Sequence, residues 1–406
     1  MSKADLLDAF VKELTSTKNF AGRAAVLRSG QLHNVFQKRR PTGIFDLDVY
    51  LRGGYPAGSI VHIWGRESSG KTTLANLAIA ENQKIYGDDS TVLIACTETT
   101  YDKEYARKCG VRVAFAEDEL QQLEEKKGTK FTKTEREELM SETGRVYLML
   151  GESSEVVLNG ILTFIKSGML DLVVIDSIAA METSAAMDAD IGDWAYAGGS
   201  RARLIGDFLR KVCACMNMSA VTDKPIETTV LILNQVTANI GVYGSDIKAP
   251  GGHALRHLKA IDLYLKSTAS DRLKIGNLIY GRTIHWKLEK GKLGCPDGAS
   301  GKVDIYLEPF QNKKPVWVNN AKCALETAVG LGLVERLGSW YRLDGAPLGQ
   351  GIENAAATLE AHPELVKRLK KEAIQQLFHE GNQAKGTKVG KKESKRTRQR
   401  SKSNTS

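Results

Sequence analysis

The chain has 406 residues, 42% of them hydrophobic and 26% charged, with a formal net charge of +9. That length exceeds what one compact core usually takes, and the apolar share excludes wholesale disorder, so two or three folded units are expected. No run of about 18 apolar residues occurs and MSKADLLDAFVKEL lacks the long apolar stretch of a secretory signal, so a cytoplasmic protein with no membrane partner is expected. The six cysteines include no C-x-x-C pair, which argues against a disulfide framework or zinc ribbon; they read as small buried hydrophobes.

In chain order, Leu6, Leu7, Phe10, Val11 and Leu14 fall on one helical stripe that needs a surface to dock on, either its own core or a neighbouring copy. A basic, weakly patterned linker follows, so residues 1–42 read as an N-terminal helix and linker. From Gly43 to Val318 strands and helices alternate. The runs Ile60 to Trp64, Thr91 to Cys96, Val146 to Leu150, Leu172 to Ile175 and Val230 to Leu233 are apolar without alternation, as in a parallel sheet covered on both faces. Leu263 and Leu265, then Ile284, Trp286 and Leu288, then Val303, Ile305 and Leu307 do alternate, and read as antiparallel strands at one edge. The charged stretch within 117–145 reads as a surface insert, a solvated helix or hairpin. Residues 319–384 carry a fresh helical pattern, a turn and a last helix over 364–378, the signs of a small separate domain. Residues 385–406 carry nine Lys or Arg against one Glu and almost nothing apolar, so this tail is expected to be disordered. It holds nearly all of the net charge, and is either a solubilising end or an arm for nucleic acid.

The segment Gly65, Arg66, Glu67, Ser68, Ser69, Gly70, Lys71, Thr72 follows the strand at 60–64 and precedes a helical pattern over 74–85, the context of a phosphate-binding loop. The two glycines let the backbone curl so that its N–H groups face phosphate. Lys71 neutralises the β and γ oxygens, and the Thr72 hydroxyl can ligate Mg²⁺. Asp176 closes the apolar strand at 172–175, where it can reach the same metal through water. Acidic residues also close strands for local reasons, and Glu98, after the strand at 91–96 that is expected to run parallel to and beside the one at 60–64, is either a loop cap or the carboxylate that orients water. Two long loops, 182–194 and 236–252, stand out, the second for Gly241, Gly244, Gly251 and Gly252. Arg203 and Arg210 are seven apart, nearly on one helix face.

Several segments, in order, make the chain from about 43 to 377 resemble a bacterial RecA recombinase: GRESSGKTT at 65–73, ETTYDKEYARKCGV at 98–111, LVVIDSIAAM at 172–181, IGD at 191–193, LILNQ at 231–235, IGVYG at 240–244, GGHAL at 251–255, KLEKGK at 287–292 and LGQG at 348–351. The resemblance implies an α/β fold, a RecA-like P-loop ATPase core at 43–318 with a mostly parallel central sheet, an N-terminal helix and a small C-terminal α+β domain. It implies that ATP is held by residues 65 to 72 together with Thr73, Asp102, Tyr105, Asp176 and Ser177, with Tyr105 stacked on adenine, and Mg²⁺ by Thr72 and Asp176. Glu98 would activate water, Gln235 would sense the γ-phosphate, and Lys290 and Lys292 would reach a neighbour's ATP.

Ile240, Tyr243, Gly251, Gly252, Arg203 and Arg210 would contact single-stranded DNA, and Lys287 duplex DNA. Thr237, His253, His285, a longer first loop, the charged insert and the basic rather than acidic tail depart from the bacterial pattern, as in a viral or otherwise divergent member. The implied activity is ATP-dependent pairing and exchange of homologous strands by a helical filament in the nucleoid or host cytoplasm. A ring-forming motor and a non-catalytic DNA-coating protein are the rivals.

Overall fold

The structure is a computed structural model that describes residues 3–17, 35–97, 101–141, 145–188, 190, 199–220, 222, 224–238, 247–248, 252–309 and 316–378. The basic tail at 385–406 lies outside them. The centre is a ten-stranded sheet. Its strands are β1 (Ile60–Gly65), β2 (Val92–Cys96), β3 (Val146–Met149), β4 (Leu172–Asp176), β5 (Thr229–Gln235), β6 (Ile261–Lys266), β7 (Arg272–Ile275), β8 (Leu278–Gly291), β9 (Ser300–Tyr306) and β10 (Trp317–Val318). The order β10-β9-β8-β6-β1-β5-β4-β2-β3 runs across the sheet, with β7 paired to β8. From β6 to β3 all pairs are parallel; β8, β9, β10 and β7 form an antiparallel wing.

The unbroken apolar runs follow from two covered faces. The helices in chain order are α1 (Lys3–Ser16), α2 (Phe45–Tyr50), α3 (Lys71–Tyr86), α4 (Lys103–Lys108), α5 (Glu117–Lys127), α6 (Lys133–Met140), α7 (Ser154–Ser167), α8 (Ser184–Met187), α9 (Gly199–Ser219), α10 (Gly252–Leu258), α11 (Asn320–Gly330), α12 (Ile352–Ala361) and α13 (Pro363–Phe378). On one face Val61, Ile63, Ile94, Val174 and Leu231 pack with Leu74 and Ala78 of α3. On the other Leu93, Val173, Ile175 and Ile232 pack with Ile161 of α7 and Phe208 and Val212 of α9.

Two sequence expectations are corrected. Leu263 and Leu265 belong to β6, which is parallel to β1 and turns antiparallel only toward β8. Its alternation misleads because a polar position, Asp262, points into the interior. There His62 Nδ1 lies 2.8 Å from Asp262 Oδ1, Lys259 pairs with the other oxygen, and Asn234 Nδ2 meets His62 Nε2 at 3.2 Å. Burial lowers the pKa of His62, and these partners satisfy the polar groups that burial would otherwise penalise. The second correction concerns β3, expected to be covered on both faces. As the last strand of the sheet it leaves Tyr147 and Leu148 exposed, and Leu150 just beyond it is exposed too. The charged insert is two helices, α5 and α6, joined by Arg136, whose Nη1 donates to Glu124 Oε1 at 2.7 Å and which also pairs with Glu117.

The cysteines are all free; Cys109, Cys295 and Cys323 are buried and the other three are half-buried. The C-terminal segment packs α11, α12 and α13 with a three-stranded sheet over Glu335–Leu337, Trp340–Leu343 and Ala346–Gln350. Its core also takes Phe45 and Val49 from α2, and Lys370 Nζ reaches the buried Asp48 Oδ2 at 2.8 Å.

Beside this junction Asp46 is buried and accepts from Trp286 Nε1 at 3.0 Å. Burial raises its pKa to about 6. A carboxyl that binds its proton more tightly when folded contributes stability below its unfolded pKa of about 3.9, and that contribution is lost as pH rises toward 6. Asp46→Asn keeps an acceptor for Trp286 and removes the charge. It is expected to flatten the fall of up to about 3 kcal/mol in unfolding free energy between pH 4 and 7, because the amide does not titrate, while giving up the acceptor that Leu47 N–H uses. Urea titrations at both pH values check this; an unchanged slope would contradict it.

Candidate nucleotide and nucleic-acid site

The loop between β1 and α3 is shaped by close approaches. A Cβ on Gly65 would meet Leu265 O at 2.3 Å, and one on Gly70, which has φ +96, would meet Ile284 Cδ1 at 2.2 Å. Neither position tolerates a side chain, so the loop wraps tightly around the N-terminus of α3, whose first N–H groups face outward as an anion site. Lys71 Nζ donates to Gly65 O at 3.1 Å and Arg66 O at 2.9 Å. Thr72 Oγ1 donates to Asp176 Oδ2 at 3.1 Å, which brings together two oxygens suited to a hard cation.

Sheet register explains the convergence. Gly65 pairs with Gln235 on β5, and Asp176 at the end of β4 pairs with Leu233, so the carboxyl ends of neighbouring parallel strands meet at the loop. One cavity, of about 270 Å³, is lined by Glu67, Lys71, Thr72, Asp102, Asp176 and Gln235 among others. A second, of about 300 Å³, adjoins it and is lined by Ser68 to Thr73, Tyr105, Arg282, Ile284 and Leu307. Tyr105 Oη and Thr73 Oγ1 are 2.6 Å apart, which fixes the ring of α4 over this second cavity. Asp102 caps α4 by accepting from Tyr105 N at 2.9 Å. Ser177 is buried beneath Asp176, to which it is joined by a cis peptide bond.

Glu98 lies outside the described residues. The strand that precedes it, β2, is not beside β1 as expected, because β4 and β5 intervene. Lys290 and Lys292 stand at the end of β8 and grip the last carbonyls of α10. Lys290 Nζ donates to Arg256 O at 2.7 Å and Lys292 Nζ to His257 O at 2.9 Å. Burial, with Lys292 alongside, lowers the pKa of Lys290.

Ile240, Tyr243 and Gly251 also lie outside the described residues, as do 189 and 191–194 of the first loop; the loop's earlier part includes α8. Gly252, with φ +68, opens α10, and Gly206 of α9 packs against Ala254. The helices that follow the two loops are therefore in contact. Arg203 and Arg210 are both exposed on α9, and Arg210 pairs with Asp207. Lys287 is exposed on β8 beside a further cavity lined by Lys266, His285 and Lys302 as well. Sequence reading missed Lys266 and Lys302, as it missed Arg282 at the phosphate loop. All three sit on strands whose neighbours are fixed only by the sheet.

The RecA N-terminal domain family matches residues 7–122 and 136–308, and the RecA C-terminal domain family matches 322–378, so only 123–135 of the charged insert falls between the matched stretches. Protein RecA of Streptomyces coelicolor is 30% identical over 379 residues, 93% of this chain and 87% of that protein. Protein RecA of Bartonella henselae is 32% identical over 372 residues, 91% of each. Protein RecA of Thermus aquaticus is 30% identical over 367 residues, 89% of this chain and 92% of that protein. The chain belongs to the RecA family of ATP-binding, DNA-dependent ATPases that act as DNA recombinases.

Proposed function

We propose that this chain polymerises on single-stranded DNA as a helical filament, holds Mg²⁺ and ATP at protomer interfaces, and exchanges that strand with a homologous duplex in the cytoplasm. The observation that carries this is the position of Gln235. It lines the same cavity as Lys71, Thr72 and Asp176, and the chain passes from it into the 236–252 loop. A change at the γ-phosphate therefore has a one-residue path to the segment that would grip DNA through Ile240, Tyr243, Gly251 and Gly252.

Within this reading residues 65 to 73 and Ser177 cradle the triphosphate, with Lys71 facing its β and γ oxygens. Thr72 and Asp176 hold Mg²⁺, which supplies charge neutralisation. Tyr105 stacks on adenine beside Asp102, Gln235 senses the γ-phosphate, and Glu98 orients the attacking water. Lys290 and Lys292 release the α10 carbonyls to reach the neighbour's ATP, so assembly would alter the helix that follows the second loop. Arg203 and Arg210 contact phosphate of the single strand. Lys287 with Lys266 and Lys302 forms the duplex surface, and the 385–406 tail recruits DNA.

Self-association is supported by two uncovered apolar surfaces. Leu6, Leu7 and Phe10 of α1 are 56%, 61% and 58% exposed, and β3 leaves its own apolar side chains bare. The α1 stripe of one protomer covering the β3 edge of the next satisfies both.

Glu98→Ala tests the hydrolytic role. It is expected to assemble on single-stranded DNA with ATP while turnover falls by about 10²-fold or more, the scale of a lost general base. Phosphate release and electron microscopy of the same samples measure both; wild-type turnover, or failure to assemble, would count against the role.

A further inference from the structure

The antiparallel wing brings a further cation to the phosphate loop. Arg282 of β8 donates from Nη1 to the Ser68 carbonyl, across 214 positions of sequence. Among the described residues no carboxylate pairs with it and this is its side chain's only hydrogen bond, although a guanidinium carries five donors and stays charged. It is half-buried on the wall of the cavity that also holds Thr73, the Tyr105 ring, Ile284 and Leu307. In the same loop the Ser69 hydroxyl is fully buried with no partner among the described residues.

The two cavities divide the nucleotide between them. Asp176 and Gln235 line the first, where the γ-phosphate would lie, while the aromatic and aliphatic walls of the second suit a purine. Arg282 lies on the second side, next to the loop, where the α-phosphate joins base and ribose to the β-phosphate. A guanidinium whose side chain meets a neutral carbonyl and, among the described residues, forms no ion pair gains an opposite charge and a bidentate acceptor by exchanging that contact for phosphate oxygens.

We propose that Arg282 is a nucleotide ligand within its own protomer, leaving the Ser68 carbonyl to donate to the α-phosphate when the loop is filled. The proposal rests on the loop being the ATP site. It makes β8 a strand that binds its own nucleotide through Arg282 and carries Lys290 toward its other end.

Full-chain wild type, Arg282→Ala, Arg282→Gln and Arg282→Lys are titrated calorimetrically with ADP, AMP and adenosine in the absence of DNA, after melting curves establish that each is folded. Arg282→Ala is expected to weaken ADP and AMP alike by about 10-fold or more while leaving adenosine unchanged. Arg282→Gln, which can still donate to Ser68 O but has no charge, is expected to lose as much, and Arg282→Lys to recover part. It also serves if the alanine variant does not fold. A loss confined to ADP, with AMP untouched, would make Arg282 a brace for the loop and overturn the proposal, as would equal affinities throughout. If wild type itself does not bind ADP, the loop reading fails and takes the proposal with it.

Discussion

Replacing Lys71 with alanine is expected to lower ATP turnover by about 10²- to 10³-fold, the cost of removing one preorganised group from a transition state that spreads negative charge over phosphate oxygens. Lys71 is held by Gly65 O and Arg66 O beside the Thr72–Asp176 pair. Those carbonyl contacts keep its Nζ close to where the phosphates bind, so little rearrangement precedes its use. Arginine at this position would not restore the rate, because its planar fork is longer and wider than a point charge fitted between loop carbonyls. Steady-state phosphate release at saturating ATP and DNA measures the loss. Turnover within a factor of a few of wild type would mean that the loop does not carry the chemistry.

The second large effect concerns assembly. The double substitution Leu7→Glu with Phe10→Glu places two carboxylates on a stripe that is bare in the single chain. If α1 packs on a neighbour, both charges are driven into an apolar contact. Each then carries a desolvation cost on the scale of an interface hot spot, about 2 kcal/mol or more, which raises the assembly concentration by about 10³-fold for the pair. Because every interface of a filament repeats the defect, filaments are expected to vanish under the microscope at micromolar protein. DNA-stimulated hydrolysis is expected to go with them, since Lys290 and Lys292 would find no neighbouring ATP. Binding of ADP by the isolated protein is expected to survive, which separates lost assembly from lost folding. Intact filaments in this variant would place the α1 stripe outside the interface.

The loop from Gly65 to Thr73 was legible because its chemistry is local: glycines, lysine and hydroxyl stand within nine consecutive positions between a strand and a helix. Asp176 was legible as the polar end of an apolar strand, and Gln235 through the family resemblance. What stayed hidden depends on which strands adjoin. Arg282 looks like one more charge on an alternating strand until β8 is laid along β6 and its side chain meets Ser68. The same blindness misplaced β6, where the polarity of Asp262 is answered by His62 and Lys259 inside the protein rather than by solvent. It also set β2 beside β1, although two strands separate them. The bare side chains of β3 were invisible for a different reason: an apolar run announces burial, but not whether the covering surface belongs to the same chain.

The most direct test of the account joins hydrolysis to strand exchange in one reaction. Phosphate release is followed with and without single-stranded DNA while transfer of a labelled strand is followed with homologous and with unrelated duplex. The account predicts turnover that rises when single-stranded DNA is added, and transfer that occurs only with the homologous duplex and only with ATP. Hydrolysis indifferent to DNA, or stimulated hydrolysis with no transfer to the homologous duplex, would contradict it.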